Sequence, residues 1–391
     1  MINSILDTDL YKLTMQMAVA HHFPKAKVSY YFINRGDTVF PDNLGEELKK
    51  QVKLMENLFL STSEKEYLKT IYFLSPIYID FLAGYRYDSS EVTINQIPGT
   101  GKLEITIEGY WYRTILWEVP LLAMISELYY QMKYLNYCNR NTREKINLEK
   151  AKFFKDNGIK VADFGTRRRF SFNNQWEVLK DFTQSNYREF LVGTSNVYFA
   201  MNFGIPAIGT HAHEWFMFHA AKYGYKMANT LAMEHWSDIF RGDLGIALSD
   251  TFTTDSFLNS FDRKFAKLYD GVRQDSGDPF IFANKIINHY KKLGIDPASK
   301  TIVFSDSLNP EAALAIQKEF YKKIKCSFGI GTNLTNDVGL KPLNIVIKLA
   351  KAKPDGDDWH NVIKLSDSVD KHTGDLKEIE ICKHILNIKL L

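Results

Sequence analysis

The sequence predicts an α/β fold, an irregular TIM-like parallel barrel accompanied by a second, α+β domain, and three observations predict it. First, from about residue 156 onward short apolar runs alternate with helix-compatible segments, at 159–162, 190–192, 205–208, 245–248, 268–272, 301–304 and 324–330, with an eighth run at 344–349. Parallel strands need a crossover between them, usually a helix, so this rhythm is that of a parallel sheet. Seven or eight units are enough to approach closure into a barrel, with a doubly wound open sheet as the alternative. Second, every run ends in polar or glycine residues, among them Asp163-Phe164-Gly165-Thr166-Arg167 and Arg273-Gln274-Asp275-Ser276-Gly277-Asp278. In a barrel those ends share one face, where loops bring polar groups to a ligand. Third, the first third of the chain lacks the rhythm altogether.

Taken in order, the chain opens with a helical stretch at 9–22 and an alternating strand at 28–33. Helical runs continue to about residue 82, and strands follow at 92–97 and 103–107, an α+β pattern. Residues 121–156 read as helix, and the strand–helix repetition begins after them. Beyond 349 come a strand-like stretch at 362–365 and a helical tail. The expected division is an α+β domain over 1–135, a barrel domain over 136–349 carrying the site, and 350–391 packing back onto the first domain.

Composition narrows the function classes. Hydrophobic residues make up 45% and charged residues 24% of 391, ordinary globular usage for two or three domains with large cores. The net charge is +3, and the longest basic run is Arg167-Arg168-Arg169, which argues against a nucleic-acid binder. No basic segment leads into an apolar one at the start, and no run of about 18 apolar residues occurs, so a cytoplasmic protein without membrane spans is expected. Cys138, Cys326 and Cys382 lie far apart and form no CxxC pair, which points to reduced, structural thiols.

The chemistry concentrates at the strand ends. His213, in Gly209-Thr210-His211-Ala212-His213-Glu214, follows an apolar run and precedes a helical one, a position suited to a base, a metal ligand or a phosphate-accepting nucleophile. His211 and His213, two apart, raise a metal reading, but no third histidine stands at another strand end. The turn Gly329-Ile330-Gly331-Thr332 offers backbone N–H groups and a hydroxyl for a phosphate monoester, although a tight structural loop reads the same way. Neither a GxxxxGK loop nor a GxGxxG turn is present. Ser305-Asp306 suits ribose hydroxyls or the neighbourhood of that phosphate. Arg273 and Asp275 supply a cation for an anionic leaving group and a carboxylate for ribose or Mg²⁺, or else form an ordinary surface pair. Phe164 with Arg167 couples a flat aromatic face to a guanidinium, which fits a pyridine carboxylate, unless the ring is core and the arginines a solvated face.

Eight segments in order resemble the nicotinate phosphoribosyltransferase family: DTDLYKLTM (7–15), DFGTRRRFS (163–171), GTSN (193–196), GTHAHEW (209–215), VRQDSGDP (272–279), FSDSLN (304–309), FGIGTNLTND (328–337) and VIKLSD (362–367). The resemblance implies a type II phosphoribosyltransferase fold and the ATP-coupled synthesis of nicotinate mononucleotide from nicotinate and phosphoribosyl pyrophosphate, a salvage route into NAD. It implies that His213 is phosphorylated by ATP, that Asp275 binds the ribose and Mg²⁺, and that Arg273 serves the pyrophosphate or the base. Gly329, Gly331 and Thr332 would hold the 5-phosphate, with Ser305 and Asp306 beside it. Phe164 and Tyr11 would form the faces of the pyridine slot, with Arg167 near the carboxylate. The Tyr11 face comes from a neighbouring subunit in the family, so a homodimer is implied. Ser195 stands where the related nicotinamide-using transferase carries an aspartate, and its hydroxyl is expected to favour the acid over the amide. Two other classes remain open at this point, a zinc-dependent barrel hydrolase and a non-catalytic nucleotide-binding regulator.

Overall fold

The computed structural model describes residues 1–134 and 140–388. Its strands are β1 (Lys27–Asn34), β2 (Val92–Ile97), β3 (Lys102–Tyr110), β4 (Val161–Asp163), β5 (Leu191–Thr194), β6 (Ile246–Leu248), β7 (Gly271–Gln274), β8 (Thr301–Phe304), β9 (Lys325–Ile330), β10 (Ile345–Lys353) and β11 (His360–Asn361). The chain divides into two compact units. The first comprises Met1–Met17, Ser29–Gly209 and Ile330–Lys348, and the second Ala18–Val28, Thr210–Gly329 and Leu349–Leu391.

In the first unit the strands order as β2-β3-β1-β10. β2 and β3 form an antiparallel ladder from Val92↔Ile107 to Ile97↔Lys102, and the alternation of Leu103, Ile105 and Ile107 sends three apolar side chains inward from one face. The turn between them carries Gly101 at φ 65°, where an added Cβ would also stand 2.4 Å from a Val39 methyl, so glycine is required twice over. The helix Glu118–Lys133 is buried from Glu118 to Tyr130, the signature of a helix surrounded by core rather than floated on it. β4 and β5 are a short parallel pair, and the residues that continue them are the polar ends read from the sequence.

In the second unit β6, β7, β8 and β9 run parallel in the order β9-β8-β7-β6, with Gly271↔Thr301↔Lys325 in register. Short loops lead from two of these strands into capped helices. Asp278 accepts N–H bonds from Phe280 and Ile281 ahead of Pro279–Lys292, and Asn309 accepts from Ala312 ahead of Pro310–Phe320. Proline at the first helical position costs no hydrogen bond there and has its φ already set. The helices therefore start at fixed places, and the loops that precede them, 275–278 and 305–309, are held at both ends.

The fold class is α/β, with parallel strands and a separate antiparallel sheet, and three expected strands change place. The run 205–208 forms no strand: Gly204 at φ 59° ends the helix Val197–Phe203, Pro206 has no N–H to give a ladder, and only Ala207 makes an isolated parallel bridge to Thr194. The run 344–349 belongs to β10, which lies beside β1 in the other sheet. The stretch 362–365 forms no strand: Leu365 N–H bonds to Thr251 O, and Lys364 makes an isolated antiparallel bridge to Thr373. Among the described residues the parallel strands are thus six, β4 to β9. Leu268, read as the start of a strand, closes the helix Arg263–Leu268. Cys326 and Cys382 are free thiols, while Cys138 lies outside the described residues. No described helix is long and apolar enough to cross a membrane.

Candidate active site

The second unit gathers its chemistry around His213. This residue opens the helix His213–Tyr223 and is 5% exposed. Its Nε2 lies 2.9 Å from Asp275 Oδ2 and its Nδ1 3.0 Å from Thr251 Oγ1. A carboxylate only accepts, so Nε2 carries the proton, and the Nδ1 lone pair accepts the threonine hydroxyl. Burial lowers the imidazole pKa to about 4, assisted by the Lys364 ammonium and opposed by Asp250 and Asp275. The ring is therefore neutral near pH 7 and has a nucleophilic nitrogen.

Asp275 follows β7 directly. Burial pushes its carboxyl up, but the hydrogen bond from His213 and the charges of Arg273 and Lys364 outweigh that and hold it well below the usual carboxylate range. Ser305 Oγ donates to Asp275 Oδ1 at 3.1 Å, and Lys371 Nζ donates to Asp275 O at 3.0 Å and to Asp306 Oδ1 at 2.5 Å. Arg273 gives Nη1 to His211 O at 3.1 Å, while its Nε is buried and makes no hydrogen bond. His213, Asp275, Ser305, Asp306 and Arg273 thus belong to one neighbourhood.

The sequence reading missed four members of it. Asp250 and Thr251 sit at the end of β6, and Lys364 lies 3.7 Å from Asp250 and 3.8 Å from Asp275. Asp250 Oδ1 is buried and has no hydrogen-bond partner, although Oδ2 accepts Ser276 Oγ. Asp250 and Thr251 belong to the polar end Ser249-Asp250-Thr251, and Lys364 lies within VIKLSD, but the sequence assigned none of them a role, and nothing local marks Lys371. A ligand atom each from His213, Asp250 and Asp275 lies within 4.8 Å of the others. The two carboxylates are hard oxygen donors, and the orphaned Asp250 oxygen is the kind of atom a hard cation satisfies, so the donor set fits Mg²⁺. The His211–His213 ligand pair does not form: His211 Nε2 accepts the Leu248 N–H at 3.1 Å, and its ring packs 4.7 Å from that of Trp236.

The first unit holds a second polar cluster, in which Asp163, Asp7 and Asp9 each anchor part of a network. Asp163 is fully buried and accepts from Gln175 Nε2 (2.8 Å), Thr194 Oγ1 (2.7 Å) and Gly165 N (2.9 Å). Asp7 accepts Arg169 in a bidentate pair at 2.7 and 2.8 Å, both side chains buried, and Asn196 Nδ2 at 2.7 Å. Arg169 of the basic triplet is therefore structural. Arg167 is not enclosed in this way: its side chain is 41% exposed, with Nη1 3.4 Å from Glu118 Oε1 and Nε 3.9 Å from Asp9 Oδ2. Glu118 also receives Lys12 Nζ at 2.6 Å.

Ser195 is fixed from three sides. Its N–H bonds to Asp163 O, its carbonyl accepts Leu10 N–H, and its hydroxyl donates to Asp9 Oδ1 at 2.7 Å. Tyr11, the next residue but one, is nearly buried beside Glu118 and Arg167, and its hydroxyl makes no hydrogen bond. Phe164 is half-buried, its N–H bonded to Ile330 O. Gly331 lies beside the Phe164 carbonyl, where a Cβ would make an ordinary contact at 3.4 Å, and Thr332 opens the single-turn helix Thr332–Thr335. Gly329 is buried within β9. Asp163 heads a polar strand end and Asp9 lies within DTDLYKLTM, but neither they nor Glu118 were given a role from the sequence, because nothing local distinguishes them from core-flanking acids.

Comparison with known proteins agrees along the whole chain. Residues 159–390 match the model of the nicotinate phosphoribosyltransferase (NAPRTase) family and residues 6–126 that of its N-terminal domain. The nicotinate phosphoribosyltransferase of Chromohalobacter salexigens is 52% identical over 390 residues, covering 99% of this chain and 98% of its own. That of Desulforapulum autotrophicum is 53% identical over 388 residues, with 99% of each covered. The crystal structure of nicotinate phosphoribosyltransferase from Porphyromonas gingivalis superposes with a TM-score of 0.96 at 46% identity, covering 99% of this chain and 100% of that one. On the strength of two matched family models and full-length relatives above half identity, this chain belongs to the nicotinate phosphoribosyltransferase family.

Proposed function

We propose that this chain makes nicotinate mononucleotide from nicotinate and phosphoribosyl pyrophosphate in cytoplasmic NAD salvage, and that it couples the transfer to ATP through a phosphohistidine at His213. The observation that carries the coupling is the polarity of the His213 hydrogen bonds. With Nε2–H held by Asp275, Nδ1 is the nucleophile; it attacks the γ-phosphorus, ADP leaves, and the positive charge appearing on the ring is stabilised by Asp275. Thr251 swings its hydroxyl away from Nδ1 as the bond forms. The phosphoryl group adds close to two negative charges to a ring that already feels the Lys364 ammonium.

Asp275 and Asp250 would hold Mg²⁺, which when bound neutralises charge on a leaving pyrophosphate. Arg273, with an unsatisfied Nε, serves the pyrophosphate. Ser305 and Asp306 serve the phosphoribosyl group, and Gly329, Gly331 and Thr332 its 5-phosphate. In the base site Phe164 and Tyr11 face the pyridine ring, and Arg167, whose side chain is 41% exposed, takes the carboxylate. The glycosyl transfer needs little proton chemistry, since the pyridine nitrogen is already nucleophilic, and positioning dominates.

The test is a nicotinate-dependent ATPase assay with phosphate incorporation. The wild type is expected to hydrolyse ATP only with nicotinate and phosphoribosyl pyrophosphate supplied, and to carry acid-labile phosphate. His213→Asn should lose both and keep a slow, ATP-independent transfer at high substrate concentration. Phosphate incorporation into His213→Asn would place the acceptor on another residue.

A further inference from the structure

Asp9 is 2% exposed and sits with its two oxygens doing different things. Oδ1 accepts the Ser195 hydroxyl at 2.7 Å, while Oδ2 is 3.9 Å from Arg167 Nε, the cation assigned above to the carboxylate of the substrate. The groups that face Asp9 come from every side: Arg167 from the turn 166–168, Asp163 from β4, Glu118 from the helix Glu118–Lys133, Ser195 after β5, and Tyr11 from the helix Leu10–His22 that Asp9 precedes. Arg167 is the cation that acts on Asp9, against the neighbouring carboxylates Asp163 and Glu118, while Glu118 is offset in turn by Lys12, Arg167 and Lys348. A substrate carboxylate placed on Arg167, whose side chain is 41% exposed, adds a further negative charge beside the buried Asp9, and Asp9 must then share Arg167 with it.

We propose that Asp9 is a specificity residue that takes up one proton when nicotinate binds, so that its Oδ2 changes from a repelling carboxylate into a donor towards the substrate carboxylate. The inference rests on the base-site reading given above. Burial already pushes the Asp9 carboxyl up to about 6, with Arg167 and the Ser195 hydrogen bond opposing and Asp163 and Glu118 adding to it. An added anion and a shared Arg167 push in the same direction. Below about pH 6 the proton is in place before binding and the affinity is flat; above it each bound nicotinate draws a proton from solution, and affinity falls about tenfold per pH unit. Nicotinamide is neutral and asks for no proton, so the preference for acid over amide weakens as the pH rises. The Ser195 hydroxyl, already given to Asp9, then acts by orienting Asp9 and not by donating to the substrate directly.

The experiment is calorimetric titration of the full-length protein with nicotinate, and separately with nicotinamide, between about pH 5.5 and about pH 8.5 in buffers of differing ionisation heat. The expected result is uptake of about one proton per nicotinate at the upper end of the range, none with nicotinamide, and a flat, proton-independent profile in Asp9→Asn, which keeps an acceptor for Ser195. The uptake is read on the wild type alone, so a poorly folding variant does not decide it. Nicotinate binding that is independent of pH and of buffer, or an unchanged pH slope in Asp9→Asn, overturns the proton linkage while leaving the base site intact. Failure of nicotinate to bind at any pH overturns the base-site reading and the linkage with it.

Discussion

At the scale of single residues, the hydrogen bond from Ser195 to Asp9 changes how the acid preference is built. A hydroxyl in the Gly193-Thr194-Ser195-Asn196 turn reads as a donor to the substrate carboxylate, yet the structure commits that donor to a carboxylate of the protein. Ser195→Asp would face the carboxylate of nicotinate with a like charge, and such a pair at ~4 Å costs about 4 kcal/mol at an effective dielectric of roughly 20. We expect that variant to raise the nicotinate KM by at least about a hundredfold and to narrow or reverse the preference over nicotinamide. Competition kinetics with the two bases checks it, and an unchanged ratio would place acid recognition elsewhere. Arg273 and Asp275 were legible because they stand at the end of β7 with side chains suited to phosphate chemistry, and His213 because a histidine opens a helix after an apolar run, although that run forms no strand. Asp9 was not, since an aspartate before a helix reads equally well as a cap, and its partner is 186 residues away.

At the scale of elements, β7 delivers Arg273 and Asp275, and its placement depends on Gly271. A Cβ there would fall 1.8 Å from Thr301 O in the facing strand β8, and a laddered backbone cannot give way as a flexible side chain does. Gly271→Ala is expected to destabilise the protein by more than about 3 kcal/mol and to lower activity with it. A urea unfolding curve with a midpoint close to the wild type would refute this. The same scale shows why some expected strands failed. Apolar runs at 205–208 and 362–365 satisfy the local pattern, but a run becomes a strand only when a neighbour's backbone is free to pair along it. Pro206 cannot donate, Lys364 exchanges backbone hydrogen bonds with Thr373 in one isolated bridge, and Leu365 N–H goes to Thr251 O.

At the scale of the whole molecule, we propose from the likeness of DTDLYKLTM to the family's opening motif a homodimer in which Tyr11 completes the slot of a neighbouring subunit, while within its own chain Tyr11 lies beside Glu118 and Arg167. Tyr11→Ala and Asp275→Ala proteins, each inactive alone, are then expected to recover activity when mixed under conditions that exchange subunits. No recovery, with exchange demonstrated, would assign Tyr11 to the slot of its own protomer. The sequence by itself determined the α/β class, most of the parallel strands and the polar residues that follow them, because period, turn chemistry and strand-end composition are properties of neighbours in the chain. Only the tertiary structure decided that 344–349 joins the antiparallel sheet, that Asp250 and Lys364 stand beside His213, and that Ser195 serves Asp9. Those are pairings between residues tens to hundreds of positions apart, chosen by burial and by the need to satisfy buried polar groups, and such pairings leave no periodic trace in a single sequence.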